Sequence, residues 1–244
     1  MAVGSYEKCK RYVEFHSPKQ FEEVPKKRET FPCITISREA GAGAPAVCKE
    51  LIKYLDSVSG FEEIHWTLFD RLLIEKILKD HNLPGQISRY MKEDKYRHLS
   101  SAINELLGLH PLQWTLLHKT TETVLQLARM GKVVIVGRGA NIITAKLKKA
   151  FHVRLIAPME NKISYIMNVL NLNRNEAEDH ITKHDIARRN YIKSSFSKDV
   201  RDENLYHLII NTGLMTHKEA AKVIADAVVC KFPNYFHLGS PTRR

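Results

Sequence analysis

Val133-Val134-Ile135-Val136 is apolar and β-branched at every position, with Gly131-Lys132 before it and Gly137 after it. A strand with one wet face alternates apolar and polar residues, whereas a run without alternation is covered on both faces and belongs inside a parallel sheet. Three further runs share this character: Cys33-Ile34-Thr35-Ile36, Val153-Arg154-Leu155-Ile156-Ala157 and Leu205-Tyr206-His207-Leu208-Ile209-Ile210. Elsewhere helical patterning covers residues 46–55, 70–80, 111–130, 160–171, 176–196 and 217–229. Strands alternating with helices at this spacing predict right-handed βαβ units and an α/β, doubly wound, three-layer sandwich. Residues 1–31 carry Pro18, Pro25 and the basic cluster Lys26-Lys27-Arg28 without a sustained apolar period, so they read as an arm. One domain is expected over 32–231, with a tail over 232–244.

The 244 residues suffice for one large core. No apolar run approaches the ~20 residues that cross a bilayer, which excludes a transmembrane helix. No apolar stretch precedes the first charges of the N-terminus, so the expectation is a cytoplasmic protein without a secretory signal or a membrane partner. Cys9, Cys33, Cys48 and Cys230 lie too far apart for a zinc ribbon, and a disulfide framework is not expected in a chain of this size. The 38 Lys and Arg against 27 Asp and Glu leave a net charge of +11, a field that draws polyanions: nucleotides or nucleic acids. Trp66, Trp114 and Tyr90 around the basic stretch 86–98 have the composition of a stacking platform, but aromatics so spaced are more often core, and nucleic acid is not the expected partner. His180 and His184 share a helical face at i, i+4 with no third ligand indicated, so no protein-held metal is expected.

In an open parallel sheet, ligands sit beyond the carboxyl ends of the strands. The first such turn is Ser37-Arg38-Glu39-Ala40-Gly41-Ala42-Gly43-Ala44, followed by a helix opened by Pro45. Gly41 and Gly43 let backbone N–H groups converge on a phosphate at a helix N-terminus; the alternative is a glycine turn that only packs helix on strand. The ordinary phosphate loop, GxxxxGK followed by Ser or Thr, supplies a Lys for the transferred phosphoryl group and a hydroxyl for magnesium. After Gly43 this chain has Ala44, Pro45 and Ala46, so both side chains are absent.

Ile34-Thr35-Ile36-Ser37-Arg38-Glu39-Ala40-Gly41-Ala42-Gly43 resembles the "ITISRE-x-GSGG" opening of the cytidylate kinase-like family of P-loop proteins. Further similarities follow in order: Phe69-Asp70-Arg71-Leu72-Leu73-Ile74-Glu75 to "YDKELIE", Val134 to Asn141 to "VIVGRGAD", Asp185, Arg188 and Tyr191 to DxxRxxY, and Tyr206 with Ile209-Ile210-Asn211-Thr212 to "YDLVINT". The resemblance implies a nucleoside monophosphate kinase-like fold on a mostly parallel five-stranded sheet, with a helical nucleotide-binding insert over about 70–110 and a lid over about 172–200. It also implies ATP as donor, Mg²⁺ bound through the nucleotide phosphates, a pyrimidine monophosphate (CMP or dCMP) as acceptor, and a monomer or homodimer. Carried over by position, Ser37, Arg38, Gly41, Ala42, Gly43 and Ala44 would hold the donor phosphates, and Asp70 would stand at the monophosphate side. Arg138 would reach the acceptor phosphate; Arg188, with Arg189, would clamp the transferring group, and Asp185 would orient the lid arginine. Arginine suits this because its planar fork makes paired bonds to phosphate oxygens.

Departures are equally legible. Pro45 stands where relatives lacking the Lys carry Arg, Asn141 where they carry Asp, Lys162 and Tyr165 where a helix carries two arginines, and His207 where "YDL" has Asp. Bland roles stand beside the chemical ones: a strand-end salt bridge for Arg138, a solvated helix face for Arg188 and Arg189, a helix cap for Asp70. Three functions follow from these features: phosphoryl transfer from ATP, nucleotide binding without turnover, and nucleic-acid binding on the basic charge alone.

Overall fold

The computed structural model describes residues 3–16, 31–59, 65–79 and 114–236. Its order is α1 (Val3–His16), β1 (Cys33–Arg38), α2 (Ala44–Val58), β2 (Thr67–Phe69), α3 (Arg71–Lys79), α4 (Trp114–Met130), β3 (Val133–Val136), α5 (Ala140–Ile143), β4 (Ala150–Ile156), α6 (Met159–Leu170), α7 (Arg174–Phe196), β5 (Leu208–Asn211) and α8 (His217–Lys231). The five strands form one parallel sheet in the order β2-β3-β1-β4-β5. Three of the four apolar runs form strands close to where the pattern puts them. In the fourth, Leu205 ends a 3₁₀ turn (Glu203–Leu205) capped by the Asp202 carboxylate, and strand pairing begins only at Leu208. The fifth strand is β2, too short for its pattern to stand out.

Alternation splits the sheet into two dry faces. Cys33, Phe69, Val133, Ile135 and Ala150 pack with α1, α3, α4, α5 and the end of α7. Ile34, Ile36, Val134, Val136, Phe151, Val153 and Leu155 pack with α2 and α8. The β1 residues Ile34 and Ile36 pair in register with Val134 and Val136 on one side and Phe151 and Val153 on the other, so β1 is central and buried. The segment expected as an arm starts as α1, whose Cys9, Tyr12 and Val13 join the first face, Tyr12 meeting Phe69 edge-on at 5.7 Å. Residues 17–30, most of the expected insert (80–110) and residues 237–244 of the tail lie outside the described residues. Among the described residues no helix is long and apolar enough to cross a membrane.

The chain leaves β1 toward β2 and leaves β4 toward β5, on opposite sides, so a crevice opens beyond the carboxyl ends of β1 and β4, where such sheets place ligands.

One polar group is built into the first face. His152 is 6% exposed, and its Nδ1 lies 2.8 Å from Thr35 Oγ1. Burial, then the neighbouring His207 and Lys231, push its pKa from 6.5 to about 4. Between those values the unfolded chain binds more protons than the folded one. Stability is therefore full above about pH 6.5 and falls as pH drops toward 4, by up to about 3 kcal/mol from this residue. Urea unfolding at pH 7.5 and 4.5 should show a smaller loss for His152→Gln than for the parent chain; an equal loss rejects this account.

Candidate functional site

Between β1 and α2 the chain turns through Glu39 to Gly43. Gly41 (φ +81°) and Gly43 (φ +67°) both take the left-handed conformation that side chains disfavour. The turn is also tight against its neighbours: a Cβ on Gly41 would lie 2.8 Å from the backbone of Lys162, and one on Gly43 2.0 Å from His217 Nε2. Gly41→Ala should therefore cost about 1–2 kcal/mol from backbone strain alone, with more from the Lys162 contact, read by urea denaturation; a neutral substitution would show that the turn is loose.

The first helical hydrogen bond of α2 is Val47 N–H to Gly43 O, at 3.1 Å. The amides of Gly43, Ala44 and Ala46 have no acceptor among the described residues, and Pro45 has no N–H. Free amides at the positive end of a helix are the elementary anion site. The neighbouring amide of Ala40 is not free, since it donates to Asp185 Oδ1 at 2.7 Å.

Asp185 belongs to α7, and the burial pattern of that helix explains its position. Ala177 and Ile181 pack on Ile163, Ile166 and Ala40 at one end, while Ile192 and Phe196 enter the first sheet face at the other. Asp185 and Arg188 lie between these anchors and are held over the turn. A capping box, Asn173 with Glu176, starts the helix firmly. Asp185 also takes Arg188 Nη1 at 3.3 Å and Lys162 Nζ at 3.4 Å, and Lys162 continues to Glu39 at 3.2 Å. Glu39 further meets Arg154 at 3.5 Å. Ser37 Oγ lies 3.3 Å from both Arg154 Nη1 and the Tyr206 hydroxyl, so it is tied beneath the loop.

Arg38 ends β1 and lies against Gly137, with Nη1 2.2 Å from where a Cβ there would stand. Burial, and then the positive charge of Arg188, bring its pKa down to about 10. No hydrogen bond or ion pair engages its guanidinium among the described residues. Arg188 is half-buried, and its pKa is lowered chiefly by burial, with Asp185 opposing and Arg71 adding to the fall. Arg138 takes a left-handed backbone (φ 57°) between two glycines, ion-pairs with Glu75 of α3, and stands 5.5 Å from the Tyr191 ring. Its Nε is buried without a partner.

Asp70 caps α3, accepting from Leu73 N–H at 2.9 Å, while its charge still reaches Arg38. Arg189 is exposed, and its charge is felt at Asp199. Besides Glu39 and Glu75, two cations outside the expected set join the site. Lys162, marked in the sequence only as a departure, links Glu39 to Asp185, and Arg71, next to Asp70, is felt by Arg38, Arg138 and Arg188. The rings of His180 and His184 lie 4.2 Å apart, and among the described residues no group of three or more His, Cys, Asp or Glu is placed to hold a metal.

Residues 33–214 match the model of the cytidylate kinase-like family. A crystal structure of an uncharacterized protein from Eubacterium ventriosum is similar, with TM-score 0.63 and 19% identity, over 82% of this chain and 98% of that one. A shikimate kinase structure from Acinetobacter baumannii aligns with TM-score 0.42 and 19% identity over 84% of this chain and 96% of that one. A uronate isomerase of Corynebacterium glutamicum is 26% identical over 101 residues, which are 41% of this chain; the chain spans about a fifth (19%) of that curated relative's length.

Proposed function

The chain belongs to the cytidylate kinase-like family, and from that premise we propose that it transfers the γ-phosphoryl group of ATP to a pyrimidine nucleoside monophosphate, CMP or dCMP. The observation that carries this reading is the coincidence of free amides at the start of α2 with an unpaired, enclosed cation, Arg38, at the adjoining strand end. An unpaired enclosed charge is costly unless an opposite charge arrives, and a polyphosphate answers both needs. The bond from the γ-phosphorus to the bridging oxygen of ADP breaks, and a bond to an acceptor phosphate oxygen forms.

In this reading the amides of Gly43, Ala44 and Ala46 hold the donor phosphates, and Arg38 replaces the missing lysine. Arg188, oriented by Asp185, meets the charge that spreads over the transferring group. Arg138, held at the strand end by Glu75, takes the acceptor phosphate. Mg²⁺, when bound through the donor phosphates, supplies further charge neutralisation; Asp185 and Lys162 hold the loop and lid together. Catalysis is positioning and electrostatics.

A second reading, nucleotide binding without turnover, is favoured by Ala44, Pro45 and Ala46, which lack both the ammonium and the hydroxyl of the ordinary loop. A coupled assay for ADP release with CMP, dCMP, UMP and AMP, beside titration calorimetry with ATP, separates the two. ADP release dependent on CMP or dCMP is the expected result. ATP binding without release leaves the second reading, and no nucleotide binding rejects both.

A further inference from the structure

A cavity of about 520 Å³ lies beside the N-terminal half of β4, between α5 with the turn after it and the segment before β5. Its β4 residues, Ala150 and His152, pair with Cys33 and Thr35 at the start of β1, whereas the phosphate loop follows the far end of that strand. The two sites therefore lie at opposite ends of β1, though Tyr206, which lines the cavity, reaches Ser37 Oγ at 3.3 Å. Lys146, Lys148 and Lys231 line the cavity with His152 and His207, and no lining residue among those described is Asp or Glu.

Asn141 gives the cavity its polar floor. It is 7% exposed, it lines the cavity, and its side-chain amide has no hydrogen-bond partner among the described residues. That amide keeps access to the cavity's solvent, where a ligand atom can pair with it. His207 offers a second donor. The backbone N–H of His152 donates to His207 Nδ1 at 3.0 Å, which leaves the proton of the neutral ring on Nε2. Burial holds both rings toward the neutral form, reinforced by the nearby Lys231 charge. Leu147, Leu205 and Ala150 supply apolar wall for a carbon skeleton.

We propose that this cavity binds a small organic phosphate, its charge met by Lys148 and Lys231 at the mouth and its oxygens by the Asn141 amide below. The volume lies within the range of small-molecule sites, and a basic rim with no carboxylate selects for charge over neutral sugars. The site stands independently of the assignment of the phosphate loop.

Titration calorimetry of the full chain at low salt, with ribose 5-phosphate as probe and ribose and citrate as comparisons, tests it. The expected result is saturable ribose 5-phosphate binding that persists with ATP present and is unchanged in Arg38→Ala. It should weaken at least tenfold in Lys148→Ala/Lys231→Ala and in Asn141→Asp, whose carboxylate repels the anion. The two lysines are exposed, so their variant keeps its fold even if the Asn141 change does not. No saturable binding of ribose 5-phosphate, equal binding of ribose or citrate, or binding lost with Arg38 and retained in the lysine variant would each overturn the proposal.

Discussion

Arg188→Ala is expected to lower kcat for CMP phosphorylation by at least ~100-fold, within what comparable transition-state arginines contribute, while KM for CMP changes by a few-fold. The expectation comes from how the residue is held. Its guanidinium is half-buried on α7 between two apolar anchors, with Asp185 at 3.3 Å as its partner. Burial and the charge of Arg71 disfavour its cation, so it stands among like charges and gains when negative charge develops nearby. Arg188→Lys should recover little, because an ammonium does not reproduce a planar fork. Steady-state ADP release over a range of CMP concentrations reads this directly, and a fall of less than about tenfold in kcat removes Arg188 from the reacting group.

Arg38→Met should act in two opposite directions. Affinity for ATP falls by about 2–3 kcal/mol, roughly 30- to 150-fold, the usual cost of removing one partner of an enclosed charge pair. The ligand-free protein, by contrast, should unfold at a higher temperature or at the same one, since an unpaired cation whose pKa burial draws down to about 10 gives way to an apolar side chain. The pairing of lost affinity with undiminished stability is characteristic of a group kept for its ligand. If the variant instead melts lower and binds ATP as before, Arg38 is a structural residue of the β1 end and the phosphate reading loses its main support.

The strand pattern was legible because each strand is a local statement. Val133 to Val136 carry no polar residue, both flanking layers are dry, and the sequence displays that condition directly. The same holds for the turn, since left-handed backbone at Gly41 and Gly43 is a demand that glycine answers locally. β2 was beyond reach on period alone, being three residues long. α1 was beyond reach because its pattern is weak. Only Cys9, Tyr12 and Val13, meeting a sheet edge far along the chain, reveal which side of the helix is apolar.

Residue roles divided along the same line. The spacing of Asp185 and Arg188 showed that they share a helix face. That Asp185 occupies the Ala40 amide, 145 positions away, depends on where α7 is anchored. Asp70 is a helix cap whose charge is also felt by Arg38, a contact that its spacing did not display. Lys162 looked like a lost arginine, and its contacts make it the link between Glu39 and Asp185 of α7.

From the order of its residues alone, this protein's class of fold, the place of its glycine turn after β1 and the absence of a lysine there are determined, because periodicity, glycine backbone and side-chain identity act over a few neighbours. Which arginine stays unpaired, which is held by Glu75, and which carboxylate meets the turn are decided only once distant segments pack. Pairing energies depend on separation and desolvation, and both are properties of the assembled core rather than of the chain.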